Sequence, residues 1–274
     1  MPLAPTVALN DAHTIPQLGL GVWQMSDDQA QRAVVAAAQA GYRHIDTAAI
    51  YRNEAGVGRG IAETGLAREE LFITTKLWNA EHRRDDAHRA LATSLELLGL
   101  DYVDLYLIHW PAPTQNRFVE AWEALIDLRS AGLARSIGVS NFTADHLNTI
   151  VDETGVRPAV NQIELHPTFQ AHDLINQTTD LGIVVESWSP LGQAKDLDNP
   201  TIASIAADLG VTPAQVIIRW HLDRGFVVIP KSADPGRIRA NFDVFSFALT
   251  SAQREAIDSL DTGERLGGDP DEVD

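Results

Sequence analysis

Short apolar segments alternate with longer amphipathic segments along almost the whole chain. Most of the apolar segments are continuous and do not alternate with polar residues, which is typical of strands covered on both faces in a parallel sheet. This pattern predicts eight strands, at residues 20–23, 42–45, 71–76, 103–108, 135–139, 159–164, 183–188 and 226–230. Amphipathic periodicity and glycines at segment ends predict helices at residues 27–40, 53–64, 85–98, 117–131, 143–153, 171–181, 212–223 and 251–260.

Eight strand–helix repeats predict a (β/α)8 TIM barrel in one domain that spans residues 1–274. Ahead of the first strand, apolar segments at residues 6–9 and 15–18 flank a polar turn. We interpret them as an N-terminal β-hairpin that closes the bottom of the barrel. A doubly wound sheet is the alternative fold, but it needs a glycine-rich first turn, and Gly19-Leu20-Gly21 lacks the third glycine of that motif.

The amino-acid composition limits the kinds of partner that the protein is expected to bind and indicates its location in the cell. The absence of cysteine excludes disulfides and thiolate metal sites, and it makes the cytoplasm the expected location. A net charge of −17 argues against a nucleic-acid or anionic membrane surface. The chain has no apolar run near the ~20 residues of a membrane span, and residues 1–5 lack the features of a signal peptide. An anionic cofactor would therefore need a local basic pocket.

Four polar side chains are predicted to meet at one rim of the barrel. Asp46, Lys76 and His109 stand at the C-terminal ends of three consecutive strands, and Tyr51 follows Asp46 by five residues. This rim is where barrel enzymes carry their active sites. Each residue alone is readily explained as a polar strand end, but together they indicate a catalytic site.

These four residue types suit carbonyl reduction. A lysine ammonium beside a phenol favours the phenolate, so Lys76 is expected to lower the pKa of Tyr51 while Asp46 keeps Lys76 charged. Tyr51 could then give a proton to a developing alkoxide, and His109 could orient the carbonyl by a hydrogen bond. The nine histidines contain no H-x-H or H-E-x-x-H pair, so no metal site is predicted and a metal-dependent hydrolase is disfavoured.

Reduction requires a hydride donor, and the ends of the fifth to eighth strands could hold a dinucleotide. The amides of Asn141 and Gln162 can bind a carboxamide, and Trp188 offers a flat face to a nicotinamide ring. After the eighth strand, Lys231 and Arg237 stand beside a helix start, which suits a phosphate. A solvated helix that carries arginines is the alternative interpretation of that basic cluster.

The chain resembles the aldo-keto reductases over essentially its whole length. The resemblance rests on the motifs G-Y-R-H-I-D-T-A, L-I-H-W-P, I-G-V-S-N-F, A-V-N-Q-I-E-L-H-P, S-W-S-P-L-G and I-P-K-S, together with the strand that ends at Lys76. Among the subgroups, the chain is most similar to bacterial 2,5-diketo-D-gluconate reductases, because its loops after strands four and seven are short and because of its tail at residues 270–274.

The resemblance implies that NADPH or NADP binds across the barrel mouth, with Tyr51 as the proton donor. It implies cofactor contacts from Ser140, Asn141, Gln162, Trp188, Ser189, Leu191, Gly192, Ile229, Lys231, Ser232, Ala233, Arg237 and Asn241. It also implies a substrate pocket walled by Trp23, Trp78, His109 and Trp110. Many relatives have threonine where this chain has Asp234 and glutamate where it has Ala240, so weaker use of NADH is expected as well.

The predicted function is NADPH-dependent reduction of aldehydes or ketones to alcohols by a monomer. Keto-sugars such as 2,5-diketo-D-gluconate and α-dicarbonyls such as methylglyoxal are the substrate candidates that the resemblance implies. The alternatives are a non-catalytic NADPH-binding protein with a redox-sensing or regulatory role on the same fold, and a barrel hydrolase or isomerase.

Overall fold

The computed structural model describes residues 3–274 and shows a parallel barrel behind a short antiparallel hairpin. The hairpin pairs β1 (Thr6–Ala8) with β2 (Thr14–Pro16). The eight barrel strands are β3 (Gly19–Gly21), β4 (His44–Asp46), β5 (Phe72–Leu77), β6 (Val103–Ile108), β7 (Ala134–Ser140), β8 (Val160–Glu164), β9 (Val184–Trp188) and β10 (Val227–Val228). They pair in chain order, and all pairs are parallel.

The sheet closes between its first and last strands. Parallel bridges join Leu18 to Val228 and Gly21 to Lys231, and the amide of Val228 donates to the carbonyl of Gln17 at 2.9 Å. The predicted (β/α)8 barrel is therefore confirmed.

Ten helices cover the barrel in the part of the chain that the structure describes. They are α1 (Asp27–Ala40), α2 (Glu54–Thr64), α3 (Arg84–Leu98), α4 (Phe118–Ser130), α5 (Ala144–Thr154), α6 (His172–Asp180), α7 (Pro200–Leu209), α8 (Pro213–Asp223), α9 (Pro235–Phe242) and α10 (Ser251–Asp258). Local sequence explains their ends. Ser26 and Gln29 form a capping box at the start of α1, and Gly41 ends that helix with a φ of 109°, which glycine adopts without strain.

Helix α7 was missed by the sequence prediction, which assigned no element to residues 200–209. Asn199 caps this helix by accepting from the amide of Thr201, and Pro200 stands at its first position. Its apolar face, at Ile202 and Ile205, packs with Trp220 of α8 in a separate cluster outside the barrel. The helix is an insertion in the connection from β9 to α8, so counting strand–helix repeats could not reveal it.

The barrel interior changes from apolar to polar along its axis. At the N-terminal end, Leu9 and Ile15 of the hairpin region cluster with Phe72, Leu105 and Val160, so the hairpin closes the bottom as predicted. Nearer the C-terminal end the interior holds buried polar side chains, which are His44, Asp46, Thr74, Lys76, Gln162 and Glu186. This gradient places a polar chamber directly beneath the barrel mouth.

Among residues 3–274, no single helix is long and apolar enough to cross a membrane. Helices α7 and α8 taken together have the length and apolar composition of a membrane span, but the two helices meet at an angle of 93°.

Candidate active site

A cavity of about 580 Å³ opens at the C-terminal ends of the barrel strands. Most of the predicted site residues line it: Trp23, Asp46, Tyr51, Trp78, His109, Trp110, Ser140, Asn141, Gln162, Trp188, Ser189, Ile229 and Lys231. Lys76 is sealed beneath its floor. The remaining predicted residues lie outside the cavity: Leu191 and Gly192 in the loop after β9, Ser232, Ala233 and Arg237 around the start of α9, and Asn241 near the end of that helix.

Lys76 and Asp46 form a buried ion pair on neighbouring strands. The register sets Asp46 opposite Thr74 on β5, and Lys76 follows two residues later on the same face. Its Nζ atom donates to Asp46 Oδ1 at 2.6 Å and to the carbonyl of Thr47 at 2.9 Å. Burial is the largest single effect and would lower the pKa of Lys76, but the acidic groups around it, Asp46 first among them, together outweigh burial and raise that pKa, so the lysine is charged.

Tyr51 ends a 3₁₀ turn, Ala49–Tyr51, that follows β4. The Lys76 Nζ atom lies 5.2 Å from the centroid of its ring. Lys76 lowers the pKa of Tyr51 as predicted, but it does not decide the net value. Burial is the largest effect and raises the pKa above 10, while the Lys76 ammonium lowers it only in part and the Asp46 carboxylate adds to the rise. The phenol is therefore protonated at neutral pH.

His109 follows β6 and stands between two aromatic rings. Its imidazole meets Tyr51 edge-on at 5.7 Å and Trp78 at 5.3 Å between ring centroids. Burial and then the Lys76 charge lower its pKa well below 6.5, so the ring is neutral. Its Nδ1 atom is buried without a hydrogen-bond partner among the described residues. The Nε2 atom is thus the better place for the single ring proton.

Both amide hydrogens of Asn141 are taken by its neighbours, and its amide oxygen accepts one hydrogen bond from a third. Its backbone is left-handed, with a φ of 63°, and its Nδ2 atom donates to the carbonyl of His109 and to Ser140 Oγ, both at 3.0 Å. The indole nitrogen of Trp188 donates to Asn141 Oδ1 at 2.8 Å. The Asn141 side chain therefore fixes the His109 backbone and the Trp188 ring, a set of contacts that the sequence did not suggest.

Gln162 keeps one polar atom free at the cavity. Its Nε2 atom donates to Asp46 Oδ2 at 2.9 Å and to Glu186 Oε2 at 3.0 Å. The amide group has only two hydrogens to donate. Its Oε1 atom makes no hydrogen bond to the described residues, so the carbonyl of this side chain is the group that faces a ligand.

The basic cluster forms around the start of α9. Lys231 and Arg237 are exposed, and the Arg237 Nε atom points to Ser232 Oγ at 3.4 Å. Asp234 caps the helix by accepting from the amide of Arg237 at 2.8 Å. This hydrogen bond, together with the Arg237 charge, lowers the pKa of Asp234, so a carboxylate stands among the basic side chains.

The C-terminal tail forms a cavity wall that the sequence analysis missed. Leu266, Gly267 and Gly268 line the cavity. Glu164, at the end of β8, accepts from the amide of Leu266 at 2.7 Å and from that of Gly267 at 3.1 Å. No local sequence signal could reveal a contact that joins residues about a hundred positions apart.

The tail is tied to the loop after β9 by a buried charged triad. His166 lies 3.2 Å from both Glu164 Oε1 and Asp196 Oδ2. Burial alone would lower the pKa of His166, but Asp196 and Glu164 outweigh it and raise that pKa. His166 thus links Glu164, which holds the tail, to Asp196 in the loop after β9.

Comparison with known proteins identifies the family. Residues 16–262 match the model of the Aldo/keto reductase family. The chain belongs to this family and is an NADPH-dependent oxidoreductase that reduces carbonyl groups.

Two relatives and one solved structure show the extent of the similarity. An aldo-keto reductase of Mycolicibacterium smegmatis is 54% identical over 98% of both chains. The methylglyoxal reductase DkgA of Escherichia coli K12 is 52% identical, again over 98% of both chains. The crystal structure of a mutant of Gox0644 in complex with NADPH superposes with a TM-score of 0.96 at 46% identity and covers 100% of both chains.

Proposed function

We propose that this protein reduces small aldehydes and ketones with NADPH, and that Tyr51 is the proton donor. The observation that carries the proposal is the placement of a neutral, protonated Tyr51 above the charged Lys76–Asp46 pair at the cavity floor. A cation beneath a phenol stabilises the phenolate that forms when the proton leaves.

The other residues of the floor take distinct roles in the proposal. Lys76 supplies the charge, and Asp46 holds Lys76 in place without acting as a base, because both of its oxygens already accept hydrogen bonds. Neutral His109 donates from Nε2 to the carbonyl oxygen and orients it toward Tyr51. The chain thus provides an acid and a hydrogen-bond donor on one side of a reacting carbonyl.

The residues at the mouth fit a dinucleotide. Gln162 Oε1 is an open acceptor that suits a carboxamide NH2, and Trp188 offers its ring beside it. Lys231, Ser232 and Arg237 at the start of α9 suit a 2′-phosphate. NADPH, when bound, supplies the hydride. The choice of cofactor is supported by two similar structures that hold it, Gox0644 with NADPH and the Bombyx mori reductase AKR2E4 with NADP.

The remaining predicted contacts complete the proposed cofactor site. Ser189 and Ile229 line the cavity beside Trp188, while Ser140 orients the Asn141 amide. We assign the other cofactor contacts, as the family resemblance implies, to Leu191, Gly192, Ala233 and Asn241. NADH is expected to serve more weakly than NADPH, since it lacks the phosphate that the basic cluster would bind.

The substrate pocket is proposed to favour small carbonyls. Trp23, Trp78 and Trp110 line the cavity with His109, and the tail at Leu266 narrows it. Because relatives at 52% identity are named methylglyoxal reductases, α-dicarbonyls are the first candidates, followed by keto-sugars. We further propose that the chain acts as a single-domain monomer in the cytoplasm.

The test is the initial rate of NADPH oxidation, with NADH in parallel, against methylglyoxal, 2,5-diketo-D-gluconate, a simple aldehyde and an aromatic diketone. Turnover with NADPH well above that with NADH is expected. Tight NADPH binding without turnover of any of these carbonyls would contradict the proposal and favour a regulatory cofactor-binding protein.

A further inference from the structure

Glu186 is a buried carboxyl group that the proposed mechanism does not use. It lies on β9 beside Gln162, with which it is in register, and its side chain points into the polar chamber beneath the cavity floor. Both residues are almost completely buried, at 0% and 2% exposure. A charged carboxylate in such a place is costly unless a cation pairs with it.

The charges around Glu186 leave it without a cation of its own. From β4, Asp46 and His44 face the chamber, and from β5 Lys76 does so. The Lys76 ammonium bonds to Asp46, at 2.6 Å. On its other side, β10 presents only Val227 in register with Glu186.

His44 does not supply the missing charge. Its Nε2 atom lies 3.6 Å from Glu186 Oε1 and 3.1 Å from Thr74 Oγ1. Burial, reinforced by the Lys76 charge, lowers the pKa of His44 to about 3, so the imidazole is neutral. Tyr51, above the chamber, is neutral as well. One cation therefore serves two carboxyl groups, and the chamber is neutral only if one of them keeps its proton.

We propose that Glu186 is a positioning residue that, as a neutral carboxylic acid, fixes the Gln162 side chain so that only its carbonyl oxygen faces the cavity. Asp46 and Glu186 each accept one of the two Nε2 hydrogens of Gln162. With both hydrogens taken from below, the amide cannot turn over and present its NH2 group to the cavity. A ligand that reaches Gln162 must then bring a donor, which is what a carboxamide NH2 provides. This last step rests on the proposed function.

The protonation of Glu186 should make the stability of the folded chain depend on pH. Burial, with the Asp46 carboxylate adding to it and with the Gln162 hydrogen bond and the Lys76 charge opposing it, raises the pKa of Glu186 from 4.5 to about 8. Between these two values the folded chain keeps a proton that the unfolded chain has released. The contribution of Glu186 to stability is thus fully present below the lower value and is lost as the pH rises through the upper one.

The first experiment compares thermal unfolding of the wild type and Glu186→Gln from pH 4.5 to pH 9. Glutamine imitates the neutral acid and does not titrate. The melting temperature of the wild type should fall relative to that of the variant up to about pH 8 and stay level above it. A difference that does not change with pH would overturn the proposal, and this test needs neither NADPH nor a carbonyl.

A measurement without any mutation gives the same information directly. The carboxyl carbon of Glu186, followed by NMR in protein labelled at the glutamate side-chain carboxyl, should titrate with a midpoint near 8. A shift typical of the ionised form at neutral pH would contradict the proposal.

The second experiment measures the Kd for NADPH. Glu186→Gln should bind within about twofold of the wild type, whereas Glu186→Leu, which removes one of the two acceptors, should bind about tenfold more weakly. Glu54→Gln is the matched control, because Glu54 is also a buried acid but bonds to Thr75 and Ser94 outside the barrel. Unchanged binding in the leucine variant, or a tenfold loss in the glutamine variant, would overturn the positioning role. Failure of the wild type to bind NADPH would instead contradict the proposed function and leave the pH signature intact.

Discussion

The Lys76 ammonium donates to one oxygen of Asp46 at 2.6 Å, and no solvent reaches the lysine. Removal of one partner from a buried ion pair leaves an uncompensated charge, which is far more costly than the loss of an exposed pair. The pair is therefore as much a structural element of the barrel as a part of the proposed proton donor.

Substitution of either partner should destabilise the protein strongly. Lys76→Met leaves the Asp46 carboxylate without its cation and should lower the free energy of unfolding by about 3–5 kcal/mol. The free energy of unfolding of the double variant Lys76→Met/Asp46→Asn should fall by less than the sum of the decreases in the two single variants, because no unpaired charge remains. Urea denaturation at neutral pH measures all three.

The exposed pair between Arg84 and Asp127 serves as the control for this experiment. Arg84→Met should cost less than about 1 kcal/mol. If Lys76→Met lowered the free energy of unfolding by no more than Arg84→Met does, the buried Lys76–Asp46 pair would not be a structural element of the barrel.

Cofactor preference should depend on two opposed charges at the start of α9. Arg237→Ala should weaken NADPH binding by about ten- to a hundredfold and leave NADH binding nearly unchanged, since a charge-assisted hydrogen bond to the phosphate is lost. Asp234→Asn keeps a capping oxygen but removes a negative charge, so the ratio of NADPH to NADH affinity should rise about two- to fivefold.

Arg239→Ala is the matched control for Arg237, because Arg239 is an exposed arginine on the same helix. Titration of each variant with both nicotinamide cofactors gives the ratios. Equal losses in the Arg237 and Arg239 variants would indicate a general effect of charge and would contradict a phosphate site at Arg237.

The C-terminal tail that lines the cavity should become more mobile when Glu164, which binds its amides, loses its charge. Glu164→Gln weakens both the bonds to the tail amides and the pairing with His166, so the amides of Leu266 and Gly267 should exchange faster with deuterium. The KM for the carbonyl should rise several-fold, by about the effect of one hydrogen bond, while the Kd for NADPH changes little.

Glu264→Gln changes the same charge on an exposed residue of the same tail and should have neither effect. A rise in KM without faster exchange at the tail amides would show that Glu164 acts in some way other than by holding the tail.

The sequence predicts the barrel and the floor of the site because both follow from strand order. Consecutive parallel strands end at one rim, so Asp46, Lys76 and His109 had to lie close together once their strands were assigned. The short turn from Asp46 to Tyr51 then leaves the phenol little freedom of position. These inferences require only local patterns and one topological rule.

Other features depend on contacts that have no local pattern. The bond between Glu164 and the tail joins distant segments, and the pairing of Trp188 with Asn141 depends on how the end of β9 meets the residue after β7. The net pKa of Tyr51 could not be predicted for a related reason. The effect of Lys76 can be deduced from residue types, but the larger effect of burial is known only once the surrounding chain is in place.

The central claim is that Tyr51 donates the proton, and the most direct test is kcat/KM for methylglyoxal reduction by Tyr51→Phe. Phenylalanine keeps the ring against His109 and removes only the hydroxyl, so kcat/KM should fall by about 10²- to 10⁴-fold while the Kd for NADPH stays within about twofold of the wild-type value. Wild-type kcat/KM in the phenylalanine variant would contradict the proposed mechanism.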